Sequence, residues 1–414
     1  MMGKLLMSVL LSFLCVVQTP DAAMPNPLAS DAVDPAEITV SEPVELNVAL
    51  YKSIPEYDSF EATVKECWKE AHPEVELVFT DWNCYGDEVP SDLDVFVFDT
   101  TNLDLFAEKG FLLPLAENDI QDYEDLIPFT VDGCRVDGKL YAVPQILCMD
   151  LLYTRKGDAE LEHVQSVFEL YGVLKDDGLL MDKKSDTSKV CAYLQALTDE
   201  TQHYLDIYPP IEEGQLSQGA VDSMTELGDM RQTDPEMPVN SDRFYYAKKF
   251  AQGMGRAYIG YSEAMDLMGD SAADMDFRLF SSTDGVDIPL FYVDAAAVNA
   301  KISDQKKELA LELLNMITGR DLLVKASNRD GDPRYLLLAR NSAYDDLMAD
   351  YPIYAGLKQI ASVPGACVFR IKPDGAAYME QAEKNADVLP SLFKGFQENR
   401  PNGVMLQENQ EGKK

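Results

Sequence analysis

Basic residues are scarce in this chain. Thirty-five Lys and Arg stand against 72 Asp and Glu in 414 residues, a formal charge of −37. That balance excludes a nucleic-acid backbone as partner, because affinity for phosphates is assembled from cations. It argues equally against adhesion to an anionic membrane. Histidine is rarer still: His72, His163 and His203 are scattered, and no cysteine pair has the spacing of metal ligands, so no zinc site is expected. The chain shows no internal repeat and no low-complexity tract, and its one long apolar run, residues 5–17, is too short for a membrane span. What is present is 46% hydrophobic residue, ample for packed cores, in a length that suits two domains. The acidity alone is compatible with plain solubility. It also suits a cationic small molecule, since a cleft lined by one sign of charge concentrates the other.

The first residues have the form of a secretory signal: Lys4 is the positive end, 5–17 the apolar stretch, and Pro20 breaks it. The reading is a signal peptide at 1–23, a flexible leader at 24–42 and a loose polar tail at 399–414, with the mature protein secreted or periplasmic. Seven cysteines occur, and Cys15 leaves with the signal. An oxidising compartment invites the remaining six to pair, although a free Cys148 would leave an odd number.

Hydrophobic periodicity predicts strands at 45–51, 75–80 and 93–99 around a helix with Phe60, Val64, Cys67, Trp68 and Ala71 on one face. A short helix at 103–109 closes on Gly110. This strand–helix–strand order predicts parallel crossovers and hence an α/β sheet. Helical signals then dominate 158–275, at 164–174, 187–197, 219–228 and 242–252. Strands return at 277–281 and 288–298, and Ser303 caps a helix that ends before Gly319. A strand at 335–339, two helices within 342–362, a strand at 368–371 and a helix at 374–397 complete the pattern. The expected division is one lobe from 43–150 plus about 289–335, and a second from about 151–288 plus 336–398, with the chain crossing between them several times.

The run from Gly138 to Gly157 holds a turn pair, Asp137-Gly138, then a strand interrupted at Pro144 and a second apolar strand, 146–153, with Cys148 inside it. A lone Cys between Leu147 and Met149 is ordinarily a small inert hydrophobe. Other clusters bear on it. Tyr261 and Glu263 end an apolar run from Arg256, and Tyr292 and Asp294, two apart, share a strand face. Tyr51 ends the first strand, Tyr85 follows Cys84 in a loop, and Asp99 ends the third strand. Aromatic rings and carboxylates gathered at strand ends suit a flat, cationic heteroaromatic ligand.

The segment 136–145 is similar to runs in bacterial extracellular solute-binding proteins, whose two lobes enclose a ligand cleft. The Pro144-Gln145-Ile146-Leu147-Cys148 strand, the Gly260-Tyr261-Ser262-Glu263 segment and the Tyr292-Val293-Asp294 segment, in this order, resemble thiaminase I (thiamine pyridinylase). The resemblance runs from about Glu45 to Gln397. It implies an α/β, two-lobed fold of the type II periplasmic-binding-protein kind. It implies a transferase in which Cys148 is the nucleophile and Glu263 its activating base, with Tyr51, Tyr85, Asp99, Tyr261, Tyr292 and Asp294 binding substrate. The partners implied are thiamine and a small amine or thiol, with no cofactor, no metal, no nucleic acid and no membrane anchor, in a monomer. The family pattern also implies a tyrosine near residue 244, where this chain has Phe244 followed by Tyr245 and Tyr246. Two other functions fit the residues less closely: a non-catalytic binder of a cationic heterocycle, which has no need of a thiol beside a base, and an acidic interaction protein without small-molecule chemistry.

Overall fold

The computed structural model describes residues 44–370, apart from 87, 176–177, 183–185, 205–215, 239–240 and 284–286. The signal, the leader, the helix expected at 374–397 and the tail lie outside these residues. The alternating run after residue 43 forms β1 (Val44–Ala49), and α1 (Tyr57–Ala71) buries Phe60, Val64 and Trp68. Trp68 Nε1 donates to the Val75 carbonyl at 3.1 Å, tying the helix to β2 (Val75–Phe79). The apolar β3 (Val95–Asp99) is buried along its length. Helices α2 (Leu103–Glu108) and α3 (Pro128–Gly133) precede a hairpin of β4 (Arg135–Val136) and β5 (Lys139–Leu140). Asp137 and Gly138 turn that hairpin with φ of 50° and 76°, the left-handed pair that a two-residue turn requires.

Strands β6 (Val143–Cys148) and β7 (Asp150–Arg155) come next, separated only by Met149. Then follow α4 (Val167–Leu174), capped by the Ser166 hydroxyl, β8 (Leu179–Met181), α5 (Asp186–Thr201), α6 (Gln218–Asp229) and α7 (Tyr245–Ala251). Strand β9 (Ala257–Tyr261), helix α8 (Ala264–Met268), and strands β10 (Met275–Arg278) and β11 (Leu290–Val298) return the chain to its starting sheet. The rest comprises α9 (Asp304–Ile317), α10 (Arg320–Ser327), β12 (Asn328–Arg329), β13 (Asp332–Pro333), β14 (Leu337–Leu338), α11 (Asn341–Asp350), α12 (Tyr354–Ala361) and β15 (Cys367–Val368).

Two sheets organise these elements. The first is seven-stranded in the order β14-β6-β11-β3-β1-β2, with β15 alongside β11, and the second runs β10-β7-β9-β8. Strand β1 is parallel to both β2 and β3, as the crossovers predict, whereas β11 runs antiparallel to β3 and to β6. The chain leaves the first sheet at Met149 and comes back between β10 and β11, so each lobe has its own sheet, while one large apolar core runs from the first sheet onto one side of the second.

The structure corrects four expectations. The strand break lies at Met149 rather than Pro144. Pro144 sits inside β6 where the register against β11 slips, with Asp294 facing Ile146 and Ala295 facing Pro144. A bulge of this kind tolerates the missing donor. Second, residues 337–368, assigned from the sequence to the second lobe, supply β14 and β15 to the first sheet. Buried Arg340 fixes that placement by donating to the carbonyls of Thr318, Asp122 and Gln121 at 2.8, 2.7 and 2.9 Å. Third, the mainly helical reading of 158–275 misses β8, although the strand-like run from Arg256 to Tyr261 does form β9, and α10 is also unforeseen. Fourth, no disulfide joins Cys67, Cys84, Cys134, Cys148, Cys191 and Cys367 among the described residues.

Candidate active site

The row of central strands delivers its side chains to one edge of the first sheet. Strand register sets Asp294 opposite Asp99 and Tyr292 opposite Cys148. Tyr292 and Asp294 are two apart on β11 and so share its cleft-facing side. Asp99 ends β3, and its Oδ1 accepts the Thr101 amide at 2.8 Å, the local cap that stops the strand. Its Oδ2 accepts the Tyr85 hydroxyl at 2.6 Å, and the Tyr85 and Tyr51 hydroxyls are 2.7 Å apart. The loop carrying Tyr85 is held by Asn102 Nδ2 donating to the Cys84 carbonyl at 3.0 Å. Although the Tyr85 side chain is 57% exposed, its hydroxyl turns inward to this chain of hydrogen bonds.

The second lobe contributes from the end of β9. The Ser262 amide donates to the Met149 carbonyl at 2.8 Å, fastening the turn after Tyr261 to the crossover after Cys148. This brings Glu263, at the start of α8, against the thiol: Cys148 Sγ lies 2.6 Å from Glu263 Oε2. The Tyr261 and Tyr292 rings meet edge to face with centroids 6.3 Å apart. Sequence reasoning missed Tyr153, whose buried hydroxyl lies 3.2 and 3.3 Å from the carbonyls of Tyr261 and Ser262 and steadies the turn that carries Glu263. The signal was available, since a tyrosine inside the buried run 151–154 needs a partner for its hydroxyl. The tyrosine sought near 244 is not at the cleft: the Tyr245 hydroxyl donates to Asp234, and the Tyr246 hydroxyl accepts the Asp234 amide.

Burial dominates the electrostatics. It pushes the Cys148 thiol well above its ordinary range, and the neighbouring Glu263 carboxylate adds to the rise. It also raises Glu263, against which the hydrogen bond from Cys148 acts. Asp294 is pushed well up by burial, then by Asp99 and Glu263, with Arg243 opposing. Asp99 is raised by burial and eased by the Tyr85 hydrogen bond. Three buried carboxyl groups flanked by tyrosines form a well for a cationic, amino-bearing ring. Among the described residues no group of three or more His, Cys, Asp or Glu is arranged to hold a metal ion. A cavity of about 1060 Å³ lies elsewhere, beside β10 and α12, and none of the eight sequence-predicted site residues lines it.

Thiaminase-1 from Paenibacillus thiaminolyticus is 38% identical to this chain over 403 residues, covering 93% of this chain and 94% of that protein. The chain belongs to the thiaminase-1 family. The thiaminase-1 domain profile matches residues 149–283, which include Tyr261 and Glu263. Thiaminase I of Clostridium botulinum, solved in complex with thiamin, superposes with a TM-score of 0.79 at 39% identity, over 83% of this chain and 99% of that one. Maltose-bound MalE3 of T. maritima superposes with a TM-score of 0.63 at 18% identity over 85% of this chain and 95% of that one. That last likeness carries the fold alone: the family is built on the two-lobed, type II solute-binding architecture.

Proposed function

We propose that this chain degrades thiamine as a thiaminase I, replacing the thiazole of thiamine by an amine or a thiol. The observation that carries the reading is the 2.6 Å contact between the Cys148 thiol and the Glu263 carboxylate, made by residues from two lobes, inside a cleft of tyrosines and acids. A binding protein has no use for a nucleophile beside a base.

Thiamine joins an aminopyrimidine to a cationic thiazolium through a methylene. Asp99 and Asp294 take the ring amino group and the cation, and the tyrosine rings enclose the pyrimidine. Glu263 takes the Cys148 proton as the thiolate forms its C–S bond to the pyrimidine ring, and returns that proton to a ring nitrogen. The methylene–thiazolium bond then breaks, and the thiazole departs neutral. An amine or thiol bonds to the methylene and releases its proton to solvent, and the C–S bond to Cys148 breaks as the ring-nitrogen proton returns through Glu263 to restore the thiol. The substrate's own positive charge favours ionisation of a thiol that burial otherwise holds protonated.

The test is to incubate the protein with thiamine and aniline and to look for the pyrimidine–aniline adduct by mass spectrometry. Adduct is expected from the parent, whereas Cys148→Ser should lose at least a hundredfold in rate while still binding thiamine, because a hydroxyl ionises far less readily than a thiol. A serine variant that keeps a tenth of the parent rate would remove Cys148 as nucleophile. The enzyme is read as a monomer that acts outside the cytoplasm once residues 1–23 are removed, and the N-terminal mass of protein recovered from culture medium tests that processing. Among the described residues no helix is long and apolar enough to cross a membrane.

A further inference from the structure

In a chain of charge −37, one pocket gathers cations. A cavity of about 430 Å³ is lined by Lys52, Arg243 and Lys248 with a single carboxylate, Asp242, and by Ser53 and Phe244 among its remaining walls. Lys52 pairs with Asp81 at 2.5 Å and Lys248 with Asp242 at 2.7 Å, in both cases with a largely exposed carboxylate. Arg243 is held differently. Its guanidinium donates to the neutral Ser53 carbonyl and lies 4.5 Å from the centre of the Phe244 ring, so these contacts leave its charge uncompensated. Lys52 and Ser53 of this pocket directly follow Tyr51 in the chain, and the Tyr51 hydroxyl bonds Tyr85 in the cleft. The charge of Arg243 also acts on Glu263 and Asp294.

We propose that this pocket is a second subsite, which takes the anionic end of the nucleophilic co-substrate: a small thiol or amine bearing a carboxylate or similar group. This rests on the thiaminase reading. The carboxyl groups of the cleft take the cationic substrate, and a guanidinium beside the thiazolium would repel it. The same guanidinium admits an anion that the acidic chain otherwise turns away. The reacting sulfur or nitrogen bonds to the methylene and loses its proton, while the anionic group remains unchanged in the pocket. Arg243 thereby selects the nucleophile and takes no part in bond making.

The experiment compares 3-mercaptopropionate with 3-mercaptopropionamide, which differ in charge and little else, as nucleophiles toward thiamine with the full chain. The parent should favour the acid by about fivefold in kcat/KM, the upper range for a partly exposed ion pair. Arg243→Gln should bring the ratio to one or below, Arg243→Lys should keep most of it, and the parent ratio should fall on raising salt. Each ratio is taken within one variant, so a partial loss of folded protein cancels. Equal use of the two thiols by the parent, or a ratio unchanged in Arg243→Gln, overturns the subsite. So does a preference for thiamine monophosphate over thiamine that Arg243→Gln removes, since the anion would then belong to the substrate's arm. No product with either thiol while aniline still gives its adduct overturns the subsite alone, and no product with any of the three overturns the thiaminase reading and the subsite with it.

Discussion

Glu263 is buried, Cys148 is half-buried and the two share one hydrogen bond, so the proton between them is the first object of the chemistry. In the empty protein burial, and then the Glu263 charge, holds the thiol up, which keeps it protonated. The sign has a consequence for Glu263→Gln. Removing the negative charge should move the Cys148 ionisation to lower pH, so iodoacetamide should label the variant faster than the parent near neutral pH. Turnover should move the other way, falling by roughly two to four orders of magnitude as the proton acceptor is lost. A labelling profile that does not move would leave Glu263 as a ligand of the substrate only. These two residues lie 115 positions apart, and no spacing rule joins them. Their pairing was legible only through the resemblance to thiaminase I, whereas the shared face of Tyr292 and Asp294 follows from strand alternation itself. Arg243 carried no signal at all, because an arginine before an amphipathic helix reads as surface.

The elements around the site are set by close approaches that constrain single residues. Gly260 lies in β9 immediately before Tyr261, and a Cβ there would fall 1.9 Å from the Tyr258 hydroxyl oxygen. That hydroxyl runs along the strand to bond the Asp182 carboxylate. Gly260→Ala should therefore expel Tyr258 and leave the half-buried Asp182 without this partner, destabilising the protein by about 2–4 kcal/mol. Chemical denaturation measures this, and a change below about 0.5 kcal/mol would mean that the strand shifts freely. Strong local patterns such as β3, α1 and the 137–138 turn were readable in the chain, since each is decided by its own periodicity or φ requirement. The position of the crossover was not. Pro144 is the obvious breaker, but a slip in the register of β11, more than 140 residues away, absorbs it. Likewise a two-residue strand such as β14 carries no mark of which sheet it will join. Its placement depends on Arg340 finding three carbonyls of the first lobe.

Across the whole molecule the excess of acid is partly internal. Burial, and then the neighbouring Asp199, raises Asp287 to about 8, and burial raises Asp182, Asp199 and Asp266 to about 6. An unfolded aspartate ionises near pH 4, so between that pH and these values the folded protein keeps protons that the unfolded chain has released. Raised carboxyl groups of this kind favour folding at low pH, and that contribution is lost as pH rises from about 4 to about 8. Self-repulsion among 37 net negative charges acts in the same direction. The empty protein should accordingly melt about 2–4 °C higher at pH 5.5 than at pH 8. Asp287 offers a way to isolate one group, because its buried Oδ2 has no hydrogen-bond partner, in a small cavity that it shares with Tyr292. Asp287→Asn removes the charge with little change of shape and provides a donor for Asp199. Tm should rise at pH 8 and change little at pH 5.5, where Asp287 is already protonated, so the slope of Tm against pH flattens. Calorimetry at the two pH values decides it: an equal loss at both would mean that Asp287 contributes by packing and not by its ionisation.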